Sequence, residues 1–330
     1  MFEECEIAGK RFAPARFLAP MAGYTHSAFR RLIAEVGGCG ALWTEMLSAR
    51  QVVNEDFSKS PWVKRRGIEK FVVYQLMVRE NDPIGRVAEI LEQYGADAID
   101  LNLACDAPHI RSLQAGSALF SNIEAMRKII EKTRKCWKGI LTVKMRLGDR
   151  HPLWRERLSD RIKLVQDCGV DAVVIHPRFF EDKFKRYARH EALSFISSLT
   201  SLPIIASGDI INREFVERNV ERFKSARAIM LGRIAIIKPW IFAGWEKPVE
   251  VDYRQVWQKL FSYIKEDFEA TVALSRIKMF TKYYSANFLF GNVFRNRIAN
   301  VKSLEEAQRV ADEFFGSNPK IVLNPVVANL

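Results

Sequence analysis

In the stretch DAVVIHPR at residues 171–178, a short apolar run ends directly in polar side chains. The same form returns in LPIIASGD at 202–209 and in AIMLGR at 228–233. Runs rich in Val, Ile and Leu are typical of parallel strands that are buried on both faces. The three stretches therefore predict strands of one parallel sheet, each with polar groups or glycine at its carboxyl end.

Similar runs recur along the first 245 residues, with amphipathic segments between them. Two of these segments, Asp82–Tyr94 and Ile123–Cys136, carry apolar side chains at helical spacing. Eight strand–helix alternations predict a closed (β/α)8 barrel, or TIM barrel, of the α/β class. An open doubly wound sheet is the alternative, but PMAGYT at 20–25 stands where its glycine-rich nucleotide turn would be. The predicted strands are 17–19, 41–44, 71–76, 98–101, 141–144, 172–175, 203–206 and 228–231.

After Trp245 the sequence changes character. EKPVEV at 246–251 predicts a linker, and three segments with helical periodicity follow it. The chain is therefore predicted to contain a barrel domain, residues 1–245, and a small helical domain, residues 246–330. The three predicted helices are Tyr253–Ala273, Ile277–Tyr284 and Leu304–Phe314.

The formal net charge of +12 arises from 51 Lys and Arg against 39 Asp and Glu. Residues 246–330 hold 12 basic and 10 acidic side chains, so most of the excess positive charge belongs to residues 1–245. A basic surface favours phosphate-rich partners through counterion release. Charge alone also fits a basic protein that binds no nucleic acid.

Cysteine usage and the amino terminus indicate the compartment. The five cysteines include no CxxC pair, which argues against a disulfide framework or an iron–sulfur cluster and predicts no metal site. The amino-terminal sequence MFEECEIAGKRF does not resemble a signal peptide. No apolar run approaches the ~20 residues of a membrane helix. We therefore predict a cytoplasmic protein that does not associate with membranes.

The carboxyl ends of the strands are the place to look for a site, because active sites of such barrels lie there. Glycines directly follow strands seven and eight, where backbone N–H groups often bind a phosphate and Arg233 can add a charge-assisted contact. Two ordinary turns are the alternative. Lys144 and His176 end strands five and six, and together they could hold the polar edge of a flavin. Gln75 and Asn102 can both donate and accept hydrogen bonds to a ring ligand.

Cys105 follows AIDLNLA at 98–104, just beyond the fourth strand. A thiol at the barrel mouth could donate a proton to a bound substrate. The other four cysteines have the sequence context of core or helix residues, which is the usual place of a free cysteine. A structural role for Cys105 itself is the alternative.

These motifs, in this order, resemble those of the tRNA-dihydrouridine synthases. The similarity spans the whole predicted barrel and is weaker in the helical tail. The segments that carry it are APMAGYTHSAFR (19–30), TEMLSAR (44–50), Gln75-Leu76, DLNLAC (100–105), GSAL (116–119), TVKMRLG (142–148), HPR (176–178), SGDI (207–210) and MLGR (230–233). This sequence differs from the family pattern at Ala104, Asp106, His109, Phe180 and Ser207.

The resemblance implies an enzyme that reduces specific uridines of tRNA to 5,6-dihydrouridine with FMN as cofactor and NADPH as reductant. It implies that Cys105 is the catalytic acid, and that Asn102 and Arg178 bind the target uridine. It also implies flavin-binding roles for several strand-end residues. With their neighbours, the predicted cofactor site comprises Pro20, Met21, Ala22, Gln75, Lys144, His176, Ser207, Gly208, Asp209, Gly232 and Arg233.

A basic, aromatic stretch, KFKRYAR at 183–189, follows the sixth strand on the same face. It is predicted to bind an RNA backbone, with Lys185 and Arg186 on phosphates. A solvated helix start is the alternative. Two other functions remain open, namely a flavin-dependent reductase of another RNA or of a small pyrimidine, and an RNA-binding flavoprotein with little catalysis. We expect a monomer.

Overall fold

Eleven strands are present in the computed structural model, which describes residues 1–326. They are β1 (Cys5–Ile7), β2 (Lys10–Phe12), β3 (Arg16–Leu18), β4 (Ala41–Trp43), β5 (Leu47–Ser48), β6 (Val72–Met77), β7 (Ala98–Leu103), β8 (Ile140–Met145), β9 (Ala172–Ile175), β10 (Ile204–Ser207) and β11 (Ala228–Leu231). Strands β3, β4 and β6 to β11 pair in parallel in that order, and β11 pairs with β3. The predicted eight-stranded barrel is confirmed, and every predicted strand overlaps an observed one.

The helices lie outside the barrel and beyond its last strand. They are α1 (Ser27–Val36), α2 (Ala49–Val52), α3 (Ile84–Gln93), α4 (Pro108–Ser112), α5 (Ser117–Ser121), α6 (Ile123–Cys136), α7 (Trp154–Asp167), α8 (Ala192–Ser197), α9 (Arg213–Arg218), α10 (Val220–Phe223), α11 (Arg233–Ile237), α12 (Tyr253–Asp267), α13 (Ala270–Tyr284), α14 (Gly291–Asn300) and α15 (Leu304–Gly316). Short 3-10 turns span Phe180–Asp182 and Ser285–Asn287. Helix α6 has its predicted bounds, since the Asn122 side chain caps its first turn by accepting from Ala125 N.

Strand register places a polar layer inside the barrel below its carboxyl end. Gln75 pairs with Asp100, and Asp100 pairs with Thr142 on the next strand. Because side chains alternate between the two faces of a strand, register partners project to the same side. The fully buried Asp100 carboxylate accepts hydrogen bonds from Gln75 Nε2 and from Thr142 Oγ1, both at 2.6 Å. These bonds fix the strand ends above them relative to one another.

The amino end of the barrel is closed by a hairpin that the sequence analysis did not predict. Strands β1 and β2 pair antiparallel and carry Phe12, which is 5% exposed. The Phe12 ring packs edge-on against Phe17, at 5.4 Å between centroids, and against Phe71, at 4.6 Å. This end of the barrel is therefore sealed by aromatic contacts.

Helices α12 to α15 form a cluster with an aromatic core. Phe294 stacks on Phe314 at 4.3 Å, and the Trp257 indole donates to Thr281 Oγ1 at 2.9 Å. Helix α14 was not predicted. The single helix predicted over Tyr253–Ala273 is wrong, because Phe268 adopts an extended backbone between α12 and α13.

Contacts with the barrel explain this break. The Asp267 side chain is fully buried and forms ion pairs with Lys64, at 3.1 Å, and Arg66, at 2.6 Å. Phe268 packs edge-on against His26, with ring centroids 4.9 Å apart. Docking against the barrel thus overrides a helical periodicity that continues through the sequence. The domain boundary at 245/246 stays a prediction.

Candidate active site

The carboxyl ends of the barrel strands bring the predicted site residues onto one face, which we call the mouth. It contains buried or half-buried side chains from β6 to β11 and from the loops that follow them. Hydrogen bonds join Gln75, Asn102 and Cys105 into one group, and His176, Arg178, Asp209 and Arg233 into another. The residues of the mouth are Gln75, Asn102, Cys105, Lys144, Arg146, His176, Arg178, Asp209 and Arg233.

Cys105 is held in the mouth through its backbone. Asn102 Nδ2 donates to Gln75 Oε1 at 2.8 Å, and Asn102 Oδ1 accepts from Cys105 N at 2.9 Å. On the other side Cys105 O accepts from Ser117 N at 2.8 Å. A Cβ on Gly116 would come within 2.4 Å of that carbonyl, so this close approach requires glycine. Hydrogen bonds through Asn102 and Ser117 therefore fix the backbone of Cys105 in the mouth.

The Asp106 carboxylate is bound to its own loop. Its Oδ1 accepts from Ser117 Oγ at 2.8 Å and lies 3.4 Å from Arg111 Nη1. The departure from the family pattern at this position thus places a carboxylate that stabilises the loop around Cys105. Because these two partners occupy Oδ1, that atom is not free to contact a ligand in the mouth.

Lys144 and His176 titrate in a positively charged environment. Burial, followed by the repulsion of Arg146, lowers the pKa of Lys144 to about 8. Burial also lowers the pKa of His176 well below its usual value, and Lys144 and Arg146 act in the same direction. Arg178 Nη1 lies 2.7 Å from His176 Nε2, and because a guanidinium only donates, that nitrogen accepts. The imidazole is therefore neutral with its proton on Nδ1.

Asp209 joins the loops after β9, β10 and β11. Its carboxylate accepts two hydrogen bonds from Arg178 Nη2, at 2.5 and 2.7 Å, and one from Arg233 Nη2 at 3.2 Å. Gly208 and Asp209 both have positive φ, at 98° and 50°, and a Cβ on Gly208 would meet the His176 ring at 2.8 Å. Glycine at 208 is thus required by the close approach of the histidine.

Arg178 is 2% exposed, and its polar atoms are occupied within the protein. Besides Asp209 and His176, its Nε donates to Arg186 O at 2.6 Å. Its predicted contact with a target uridine stays a prediction. In this structure the residue organises the loops around it.

The predicted cofactor residues of the first loop lie beside the last strand. Met21 Sδ is 3.7 Å from the position that a Cβ on Gly232 would take, and Ala22 is exposed. Pro20 is half-buried, and Ser207 is buried at the end of β10. Gly232 therefore lies next to Arg233 with the Met21 side chain close by.

Phe184 covers one side of the mouth. Its side chain is 56% exposed, and its ring lies 6.2 Å from the His176 ring. Three guanidiniums approach the same ring, those of Arg233 at 5.0 Å, Arg146 at 5.7 Å and Arg178 at 5.8 Å. Cations are attracted to an aromatic face. The ring adds to two hydrogen bonds that tie this loop to the mouth, from Arg178 Nε to Arg186 O at 2.6 Å and from Ala188 N to Asp209 Oδ2 at 2.8 Å.

The basic stretch 183–189 is less free than its sequence indicates. The fully buried Asp182 side chain forms ion pairs with Arg189 and Arg150 and lies 3.7 Å from Arg186 Nε. Lys185 forms no ion pair within residues 1–326. Of the two predicted phosphate contacts, Lys185 is therefore more available than Arg186, which lies near Asp182.

Several residues near the mouth were not assigned a role from the sequence. Arg146 is 8% exposed, and its Nε has no partner among the described residues. Glu45 is buried, accepts from Gly23 N at 2.7 Å, and has a pKa raised by burial. Arg276 of α13 approaches this loop, since a Cβ on Gly23 would lie 2.8 Å from its Nη1. Glu45 and Arg146 stand at strand ends, where the sequence indicates a site, whereas no spacing indicates Arg276.

Among residues 1–326 no group of three His, Cys, Asp or Glu side chains is arranged to hold a metal ion. Within the same range no helix has the length and apolar character needed to cross a bilayer.

Known proteins resemble this chain in both sequence and fold. The tRNA-dihydrouridine synthase B of Pasteurella multocida (strain Pm70) is 32% identical over 242 residues, which cover 72% of this chain and 70% of that protein. An old yellow enzyme homologue from Zymomonas mobilis superposes with a TM-score of 0.53 at 11% identity, over 72% of this chain and 90% of that one. A 2-naphthoyl-CoA reductase in complex with 2-naphthoyl-CoA gives the same TM-score at 10% identity, over 73% of this chain and about half (51%) of that one. Both superpositions show the barrel fold.

The match to a protein family is more extensive than any of these pairs. Residues 17–320 match the dihydrouridine synthase (Dus) family, a range that covers the barrel and nearly all of the helical cluster. The motifs at the mouth and those in the sequence therefore agree with one assignment. This chain belongs to the dihydrouridine synthase family.

Proposed function

We propose that this protein reduces uridines in tRNA to 5,6-dihydrouridine, with FMN as cofactor and NADPH as reductant. The observation that carries the proposal is the position of Cys105 in the mouth, with its backbone held by Asn102 and Ser117. Its position in the family motif, and relatives named as tRNA-dihydrouridine synthases, support the same reaction.

The charge of the mouth fits an anionic cofactor. Lys144, Arg146, Arg178 and Arg233 lie there, and Asp209 forms ion pairs with Arg178 and Arg233. Lys144 and Arg146 form no ion pair within residues 1–326, and Arg146 Nε is buried without a partner among them. Such an excess of buried positive charge is costly unless an anion neutralises it. A phosphate-bearing flavin would supply that anion. The residues proposed to hold it are Pro20, Met21, Ala22, Gln75, Lys144, His176, Ser207, Gly208, Asp209, Gly232 and Arg233.

The side chains at the mouth have distinct roles in this proposal. When bound, the flavin would supply the hydride that reduces carbon-6 of the uracil. Lys144 is largely protonated at neutral pH because its pKa lies near 8, so it holds positive charge against the cofactor. His176 is neutral and can donate only from Nδ1, since its Nε2 accepts from Arg178. The two residues thus offer one cationic donor and one neutral donor.

Cys105 is proposed to donate the proton that carbon-5 of the uracil requires. The Asn102 amide holds the Cys105 backbone and would also meet the target base. A proton donor positioned in this way typically contributes a factor of about 10²–10⁴ to a rate.

RNA is the proposed macromolecular substrate. The net charge of +12 favours a polyanion, and Lys185 provides an exposed cation on a loop at the mouth. The target base must leave its stack to reach Cys105, which costs a few kcal/mol and favours flexible RNA loops. The helical segment 246–330 is proposed to bind the same RNA. Action as a cytoplasmic monomer is part of the proposal.

The test is single-turnover reduction of an unmodified tRNA transcript by protein that was reconstituted with FMN and reduced by NADPH. The expected product is a transcript with one uridine heavier by two hydrogens, located by nuclease digestion and mass spectrometry. Protein that binds no FMN would contradict the cofactor. Turnover of a free pyrimidine but not of RNA would support the small-substrate alternative, and RNA binding without any reduction would support a non-catalytic flavoprotein.

A further inference from the structure

A cavity of about 300 Å³ lies on the outer rim of the barrel, between α5 and α7. Its wall contains Phe120 and Ser121 from α5, Asp149 from the loop after β8, and Arg157 and Arg161 from α7. None of these residues belongs to the mouth. The cavity is therefore separate from the proposed cofactor site.

Two backbone contacts connect the cavity to the mouth. Leu147 and Gly148, which line it, follow Arg146 directly, and Leu147 N donates to Arg178 O at 3.0 Å. On its other side α5 begins at Ser117, whose N donates to Cys105 O at 2.8 Å. A ligand in the cavity would thus contact the loop that follows β8 and the helix that holds the Cys105 loop.

The two arginines of the cavity differ in how they are held. Arg161 Nε donates to Phe120 O at 3.0 Å and its Nη1 to Arg157 O at 3.1 Å, with the guanidinium 5.4 Å from the Phe120 ring centre. Arg157 is exposed, and its side chain forms no ion pair or hydrogen bond within residues 1–326. One guanidinium is therefore fixed in place, and the other is free to contact a ligand.

The remaining groups add a hydrogen-bond acceptor and aromatic walls. Asp149 is exposed, and its carboxylate accepts no hydrogen bond from residues 1–326. Trp154 is half-buried and lines the same cavity as Phe120. Two cations bind a phosphate, a carboxylate accepts from a ribose hydroxyl or a base N–H, and aromatic side chains contact a base. The combination matches a ribonucleotide.

We propose that this cavity binds one ribonucleotide of the RNA substrate, at a distance from the uridine that enters the mouth. Its volume lies at the small end of ligand sites and suits a single nucleotide. Because RNA is one continuous chain, this second contact determines which nucleotide can reach Cys105. The inference rests on the proposed function, since it takes RNA as the substrate.

The test compares three variants of the full chain in equilibrium binding of an unmodified tRNA transcript at several salt concentrations. Arg157→Gln removes the free cation, and Ser121→Phe fills the cavity from its exposed lip without a change of charge. Lys163→Gln removes an exposed cation of α7 that does not line the cavity and is the matched control. We expect Arg157→Gln to reduce the slope of log affinity against log salt by about one. Ser121→Phe should weaken binding, and Lys163→Gln should behave as the wild type.

Each alternative outcome overturns the proposal. Equal slopes for Arg157→Gln and Lys163→Gln would show that Arg157 contacts no phosphate. Loss of slope in Arg157→Gln with wild-type affinity in Ser121→Phe would place the phosphate outside the cavity. A raised KM for NADPH in Arg157→Gln with unchanged RNA binding would assign the cavity to the reductant.

The two proposals fail in distinguishable ways. Wild-type protein that forms no dihydrouridine contradicts the proposed function, whereas the binding comparison needs no turnover. If wild type does form dihydrouridine and the three variants bind RNA alike, only the cavity proposal fails.

Discussion

The two ends of the barrel are built from opposite kinds of side chain. At the mouth, the buried side chains include Lys144, Arg146 and His176, each 8% exposed. At the amino end Phe12 seals the barrel against Phe17 and Phe71. Aromatic burial stabilises the folded chain, whereas buried like charges oppose folding. One end of the barrel therefore supplies stability, and the other is adapted to a ligand.

The largest effect is expected at the amino end. Phe12→Ala removes a buried ring and should lower the free energy of unfolding by about 3–5 kcal/mol, since the two neighbouring aromatic rings cannot collapse fully into the space. Chemical denaturation followed by circular dichroism measures this change. Tyr187→Ala, at a side chain that is 80% exposed, is the control and should leave the free energy of unfolding within about 0.5 kcal/mol of wild type.

The activity of the same Phe12 variant tests whether the two ends of the barrel are independent. Below its unfolding temperature it should reduce RNA at the wild-type rate per folded molecule, because it lies at the far end of the barrel. A large loss of activity in protein that is fully folded would show that the two ends are not independent.

The next effect is expected at Cys105. Cys105→Ala should slow reoxidation of the reduced flavin by RNA about 100-fold or more, since a positioned proton donor is lost. Reduction of the flavin by NADPH should remain at the wild-type rate, because that step does not involve RNA. Stopped-flow absorbance at the flavin band measures both half-reactions separately.

Asp106→Asn is the matched variant, since it keeps the shape of the neighbouring side chain. It should retain most of the RNA-dependent rate, because Asp106 Oδ1 is already engaged by Ser117 and Arg111. Wild-type turnover in Cys105→Ala, together with slow turnover in Asp106→Asn, would assign the proton to the carboxylate instead.

The sequence predicted the barrel well because its signal is local. A fully buried parallel strand such as Ala172–Ile175 is a continuous apolar run, and its bounds were predicted to the residue. The hairpin β1–β2 was not predicted because its strands have three residues each and mostly exposed or half-buried side chains. The break at Phe268 was not predicted because it depends on Asp267 and on the partners of Asp267 in the barrel, which are distant in the sequence.

The candidate site divides in the same way. Chain order places Lys144 and His176 at strand ends, so their arrival at one face follows from the fold. The ion pairs of Asp182 with Arg186 and Arg189 depend on how the loop folds back, and no spacing in the sequence indicates them. Likewise Arg276 approaches Gly23 from a helix more than 250 residues later in the chain. The sequence predicts which side chains stand at the strand ends. It does not predict which side chains from distant parts of the chain pair with one another.

A smaller effect is expected for Arg233→Ala, which removes a charge-assisted contact to the cofactor phosphate worth about 1.5–3 kcal/mol. FMN affinity, measured by fluorescence titration, should fall accordingly, by roughly 10- to 150-fold. Arg227→Ala, at the exposed residue just before β11, is the control and should bind FMN as the wild type does. Equal affinities in the two variants would remove Arg233 from the cofactor site.

The smallest effect concerns the protonation of Lys144, whose pKa burial lowers to about 8. An anionic cofactor favours the charged lysine, so FMN affinity should begin to fall as the pH approaches 8 and continue to fall to pH 9, by less than about tenfold per pH unit for one proton. The stability of the cofactor-free protein should respond with the opposite sign. Between the folded pKa of about 8 and the ordinary value of 10.5 the unfolded chain binds more protons, so the free energy of unfolding gains a favourable contribution as the pH rises. General alkaline unfolding would lower both quantities together, which separates it from titration of Lys144.

Lys144→Arg should keep its FMN affinity at pH 9, and Lys144→Met should bind weakly with no pH dependence in this range. A wild-type affinity that stays flat from pH 7 to 9 would show that this lysine does not hold charge against the cofactor.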